Sequence, residues 1–187
     1  FKSLALLWDA SPESAALLWL SRRAFFGAVP YPLVHIEAPG EGAAALRHRD
    51  ELVRSWRLDL IRARDDEAEG HAARDPAERG LRRVLQGEAL RRALSGAGPR
   101  HRYDHEAKAY VLDEGREPFV VLISALRGDE GEGLRCFSPL SEGRARARDA
   151  APRSWDDHRT DLAPGAQLRV HPLLDWTAGD VRAYLER

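Results

Sequence analysis

Short apolar runs alternate with amphipathic stretches along this chain. Leu4 to Trp8 is the first run; the turn formers Asp9-Ala10-Ser11-Pro12-Glu13-Ser14 follow, then the apolar stretch Ala15 to Leu20, an order that predicts strand, loop, helix. Pro12 and Glu13 suit a first helical turn, where a missing N–H costs nothing and a carboxylate meets the positive end of the dipole. Asp9 or Ser11 is the candidate N-cap. A second buried strand is predicted at Pro32 to Ile36, an amphipathic helix from Ala43 to Trp56 carrying Leu46, Leu52, Val53 and Trp56, and a short third strand from Leu58 to Ile61. Such βαβ alternation predicts a mainly parallel sheet with right-handed crossovers.

Arg62 to Arg79 is almost free of large apolar residues and reads as a mobile loop or exposed segment. Leu81 to Leu94 resumes helical spacing until Ser95-Gly96-Ala97-Gly98-Pro99 stops it. Phe119 to Ser124 is the most strand-like run. Arg127 to Arg159 is dominated by charge and turn formers, as a functional or a disordered loop would be. A last strand is predicted at Leu168 to His171, and a last helix from Trp176 to Leu185 with Thr177 as its N-cap. There is no internal repeat and no linker, so residues 1–187 read as one α/β domain.

Composition narrows the classes. With 187 residues, 43% hydrophobic and 32% charged, the chain can bury a core without metal or disulfide staples, and no apolar run is long enough to span a bilayer. Its 29 basic and 30 acidic residues leave a formal charge of −1, so no global field draws in nucleic acid. Arginine greatly outnumbers lysine, which stands only at positions 2 and 108, as in proteins of high-GC bacteria. One cysteine, Cys136, and no signal-peptide pattern lead to the expectation of a cytoplasmic protein. There is no methionine, even at position 1, which is compatible with trimmed termini.

The loop after the first strand is where an open α/β sheet usually binds an anion. Its composition opposes that use: a phosphate cradle wants glycine for close approach and a cation for charge, and Asp9 to Ser14 supplies neither. An ordinary capped helix start explains the same residues. His101 and His105 stand at i, i+4, the spacing of two ligands on one helical face, with Glu106 beside them and His71 farther off. No third ligand is placed by sequence, so a surface cluster is preferred and no metal site is expected. Cys136 lies between Arg135 and Phe137, where a small buried hydrophobe is the simpler reading than an activated thiol.

Leu4-Ala5-Leu6-Leu7-Trp8, Ala16-Leu17-Leu18-Trp19-Leu20, Arg23-Ala24-Phe25-Phe26 and Val29-Pro30-Tyr31-Pro32-Leu33-Val34-His35-Ile36 resemble the N-terminal part of the small subunit of bacterial ATP sulfurylase, the sulfate adenylyltransferase family. Val170-His171-Pro172-Leu173-Leu174-Asp175-Trp176-Thr177, with Asp180-Val181 and Tyr184-Leu185, resembles the same family more specifically. Phosphoadenosine phosphosulfate reductases share a looser form of both motifs, but their C-terminal catalytic cysteine motif is missing here. The resemblance implies a doubly wound α/β fold of the adenine nucleotide α-hydrolase-like type. It also implies adenylyl transfer from ATP to sulfate with magnesium on the phosphates, and a GTPase large subunit as partner.

In that family the first loop has the form S-x-G-K-D-S and holds the ATP phosphates. Asp9, Ser11, Pro12 and Glu13 replace its serine, glycine, lysine and aspartate; only Ser14 is kept. A lysine-threonine pair opening a later helix aligns with Gln86-Gly87, and an arginine-arginine-aspartate-glutamate run aligns with Arg127-Gly128-Asp129-Glu130. Two lysines and an arginine are thereby lost around one polyanion, though Arg127 could still pair with a phosphate or sulfate. His35 and Glu37 fall where the family places groups near adenosine, and Glu37 could accept from a ribose hydroxyl. The candidate nucleotide-binding residues are Trp8, Asp9, Ser11, Ser14, His35, Glu37, Arg127, Asp129 and Glu130. Two readings stand: a family enzyme with a weakened ATP phosphate site, or a non-catalytic nucleotide-binding or regulatory protein that keeps the fold.

Overall fold

The central strands are apolar on both faces because both faces are covered. A computed structural model describes residues 3–37, 41–64, 87–115, 118–128, 137–140 and 167–187. In chain order the elements are β1 (Leu4–Leu7), α1 (Pro12–Ala24), β2 (Leu33–Glu37), α2 (Ala43–Trp56), β3 (Leu60–Arg64), α3 (Glu88–Ser95), β4 (His101–Asp104), β5 (Ala109–Leu112), β6 (Val121–Ile123), β7 (Phe137–Leu140), β8 (Gln167–Val170) and α4 (Ala178–Leu185). Among the described residues the sheet has eight strands, in the order β5-β4-β3-β2-β1-β6-β8-β7. β3, β2, β1, β6 and β8 run parallel, while β4, β5 and β7 are antiparallel additions at the two sides.

One face buries Ala5, Leu7, Val34, Ile36 and Ile61 against Ala89, Leu90, Ala93 and Leu94 of α3. The other buries Leu6, Leu33, Leu58 and Leu60 against Leu17 and Leu18 of α1 and Val53 of α2. Alternate residues of one strand therefore enter two different cores, which is why β1 is a continuous apolar run and β2 is apolar but for His35 and its terminal Glu37. Each fully buried leucine contributes about 1.5–3 kcal/mol by leaving water, so this double covering sets the fold.

Three elements depart from expectation. Leu58 closes α2 instead of opening β3: Arg57 adopts φ 51° and the Leu58 N–H donates to the Val53 carbonyl at 3.0 Å. β3 then runs three residues beyond Ile61, to Arg64. His101 and His105 lie on β4 and in the β4–β5 turn, so they never share a helical face, and no metal-holding group occurs among the described residues. The β4–β5 hairpin and β7 carry too little apolar alternation to announce themselves. Thr177 caps α4 as expected, with a capping box to Asp180.

The order reverses at β1, which pairs with β2 on one side and β6 on the other, with Leu6 opposite both Leu33 and Ile123. The connections leaving β1 and β6 diverge there, opening the crevice in which doubly wound folds bind ligands. The Asp9–Ser14 loop and the Ser124–Gly128 segment form its walls.

Candidate nucleotide site at the strand-order reversal

The first loop satisfies its own polar groups. Ser11 is the N-cap of α1, and its hydroxyl accepts from the Ser14 N–H at 3.2 Å. Asp9 Oδ1 accepts from the Ser11 N–H at 3.1 Å and from the Ser11 hydroxyl at 2.6 Å. Ser14, the retained motif residue, is buried and turns its hydroxyl onto the Ser11 carbonyl at 3.0 Å. A carboxylate of the chain itself thus takes donors that a bound anion would use at a helix N-terminus. Pro12, in the first turn, offers no N–H.

Arg127, the cation retained after β6, is 8% exposed and forms an ion pair with Glu13. Glu13 sits in the first turn of α1, so the pair joins the two walls of the crevice. The next residue, Gly128, donates its N–H to the Leu174 carbonyl at 2.8 Å. A Cβ there would sit 2.7 Å from that oxygen. The position aligned with the family's second arginine is therefore closed to any side chain while this backbone contact stands. Asp9 and Glu13 bring negative charge to this loop, Pro12 removes a backbone donor, and Arg127 is ion-paired with Glu13.

At the second strand end, the ring nitrogens of His35 face the Trp8 carbonyl at 2.8 Å and Glu41 Oε2 at 3.1 Å. Trp8 itself is buried in the core, and its indole N–H has no hydrogen-bond partner among the described residues. Glu37 accepts from Arg49 at 2.8 Å and from Arg62 at 3.3 Å. Burial alone would raise its carboxyl, but the Arg49 hydrogen bond and the charges of Arg62, Arg49 and His35 outweigh that and hold it below the usual range. Arg49 also bonds Asp50 at 2.9 Å, Asp50 accepts from the Tyr110 hydroxyl at 2.7 Å, and the Arg62 guanidinium lies 4.1 Å from the Tyr110 ring centroid.

This network of Arg49, Asp50, Arg62 and Tyr110 was not anticipated. Its signal was available in part: Arg49 falls within the apolar stripe of Leu46, Val53 and Trp56, where an arginine needs a buried partner. Beside Glu37 opens a cleft of about 550 Å³, lined also by Arg62, Arg64, Ala89, Arg92 and His101. That size suits a nucleoside-sized molecule.

His171, at the end of β8, was also missed as a candidate. It is 1% exposed, and its Nδ1 lies 2.7 Å from the Ser124 hydroxyl at the end of β6. Burial, reinforced by the Arg169 charge, pushes its pKa down to about 4, so the ring is neutral near pH 7 and can accept from Ser124. This bond fixes the segment that presents Leu174 to Gly128.

The crevice thus brings together Asp9, Ser11, Ser14 and Arg127 and joins Trp8 to His35, while Glu37 turns to Arg49 and Arg62. Asp129 and Glu130, with Gln86, His71 and Cys136, lie outside the described residues.

No family profile matches the chain. In sequence it is 32% identical over 190 residues to sulfate adenylyltransferase subunit 2 of Azospirillum brasilense, covering 99% of this chain and 57% of that protein. It is 28% identical over 191 residues to the same subunit of Rhizobium tropici, covering 100% and 55%. The chain spans just over half the length of these relatives. Among solved structures, a phosphoadenylyl-sulfate (PAPS) reductase from Candida auris, as a phosphate complex, is similar at TM-score 0.55 and 11% identity, covering 100% of this chain and 72% of that one. FMN adenylyltransferase of Candida glabrata, in complex with ATP, is similar at TM-score 0.54 and 12% identity, covering 98% and 45%. Those two share the fold alone. Along its whole length, and over just over half of theirs, the chain is similar in sequence to sulfate adenylyltransferase subunit 2 proteins, and its fold is a mainly parallel α/β sheet.

Proposed function

We propose that this chain is a subunit 2-type nucleotide protein whose ATP phosphate site is weakened, so that it acts as a nucleotide-binding or regulatory component and not as an efficient sulfate adenylyltransferase. The observation that carries this reading is the Glu13–Arg127 ion pair, which places a carboxylate of the chain on the arginine that would meet a phosphate. Adenylyl transfer depends on positioning and on neutralising phosphate charge, and both contributions are reduced here. The cleft beside Glu37 supports retention of an adenosine-sized pocket. A large-subunit partner, a GTPase by family resemblance, remains the expected companion, and ATP with magnesium the expected ligands wherever catalysis persists.

Restoring the loop tests this reading. Asp9→Ser with Ser11→Gly and Pro12→Lys returns a cation and frees the backbone donors, and a charge-assisted contact of about 1.5–3 kcal/mol corresponds to roughly ten- to a hundredfold tighter ATP binding. No gain in ATP affinity would show that the loop is not what limits binding. Sulfate-dependent pyrophosphate release by the unmodified protein, at rates typical of an adenylyltransferase, would overturn the regulatory reading.

A further inference from the structure

The cleft beside Glu37 differs in charge from the chain as a whole. Arg62, Arg64 and Arg92 line it against one carboxylate, Glu37, so a local excess of two positive charges stands in a chain of formal charge −1. Arg62 is held by Glu37 and by the Tyr110 ring. Arg64, exposed at the end of β3, and Arg92, half-buried in the last turn of α3, form no ion pair among the described residues. The backbone makes room for them. α3 ends where Gly96 takes φ 73°, and Gly98-Pro99 carry the chain along the cleft towards β4. A Cβ on Gly98 would come within 3.0 Å of the Arg92 Cβ, so glycine there leaves space for the arginine stem. Ala63, Ala89 and Ala93, all buried, supply an apolar wall.

We propose, resting on the reading that an adenosine-sized pocket persists here, that this cleft is a monophosphate site: it takes a phosphate monoester of about nucleoside size, with the dianion on Arg64 and Arg92 and the organic part against the alanine wall. Arg62 adds charge beside them. A phosphate monoester carries about −1.5 to −2 near pH 7, which matches the excess of two, and its terminal oxygens accept from the forked guanidinium donors. A carboxylate or a sulfate monoester brings a single charge and leaves one cation unmatched. A cleft of about 550 Å³ is far larger than an inorganic ion, so an organic part is needed to fill it. The arginines lie on the β3 side of Glu37, whereas the first loop follows β1 on the other side of β2, and no residue of the Asp9–Ser14 loop lines the cleft. This anion site is therefore separate from the loop.

Calorimetric titration of the full chain with AMP, adenosine and inorganic phosphate reads the anion and the organic part separately. AMP binds about tenfold more tightly than adenosine at low ionic strength, and the difference shrinks as salt is raised because Arg64 is exposed. Arg64→Gln with Arg92→Gln brings AMP down to the affinity of adenosine and leaves adenosine unchanged. Arg47→Gln with Arg54→Gln removes the same charge from exposed positions on α2, which packs on the opposite face of the sheet from α3, and keeps the difference. Unchanged far-ultraviolet circular dichroism confirms that each variant is folded. Should the cleft double variant unfold, Arg64→Gln alone, at an exposed strand end, carries the test with a loss of about threefold in AMP affinity. Equal affinity for AMP and adenosine overturns the monophosphate assignment and leaves the adenosine pocket standing, whereas binding of neither removes both. Inorganic phosphate bound as tightly as AMP overturns the monoester. A preference for AMP that survives in Arg64→Gln/Arg92→Gln overturns the assignment as well, and its loss in Arg127→Gln would then place the phosphate in the crevice.

Discussion

Arg127, at the end of β6, donates to the carboxylate of Glu13 in the first turn of α1. The two walls of the crevice are thereby tied to each other across the place where a polyanion would enter. Glu13→Gln keeps the shape and removes the charge. Pyrophosphate affinity is expected to rise a few-fold by calorimetric titration as Arg127 loses its ionic partner, while stability in urea falls by about 1–3 kcal/mol. Unchanged pyrophosphate affinity would mean that the pair does not restrict the site.

Gly128 is held by the Leu174 carbonyl, with no room for a Cβ. Gly128→Ala must move backbone and is expected to cost about 1–3 kcal/mol, read as a lower urea midpoint at unchanged slope. A neutral outcome would show that the segment relaxes easily, and that an arginine could be restored there.

His171 links the ends of β6 and β8 through a group whose protonation opposes folding. Its pKa in the fold is about 4, below the ordinary value of 6.5, so between these values the unfolded chain binds more protons than the folded one. Stability is therefore full above about pH 6.5 and falls as pH drops towards 4, by up to about 3 kcal/mol from this one group. Urea midpoints measured across that window in the unmodified protein and in His171→Gln test the assignment. The variant should lose about one proton's worth of slope, and an identical slope in both would contradict it.

The parallel core was legible because β1 and β2 are buried on both faces and leave mostly apolar runs, and because Ser11-Pro12 and Thr177 carry their capping chemistry in the sequence. The β4–β5 hairpin was not, since its half-buried residues include His101, Arg102 and Asp104, whose burial depends on partners distant in the chain. The same limit applies to the site. The loss of the loop's glycine and lysine could be read directly, whereas the Glu13–Arg127 pair joins residues 114 positions apart and exists only through the β1–β6 pairing. Glu37 was placed correctly at its strand end, but its engagement by Arg62 depends on the β2–β3 pairing, and that by Arg49 on α2 reaching back to the end of β2.

The most direct test of the proposed weakening of the phosphate grip is calorimetric titration of the unmodified protein with ATP and Mg²⁺, and separately with AMP, at low ionic strength. The account predicts equal, weak binding of the two, because the additional phosphates meet Asp9, Glu13 and an arginine already paired. ATP binding in the micromolar range and clearly tighter than AMP would contradict it, by showing that the crevice still holds the phosphates.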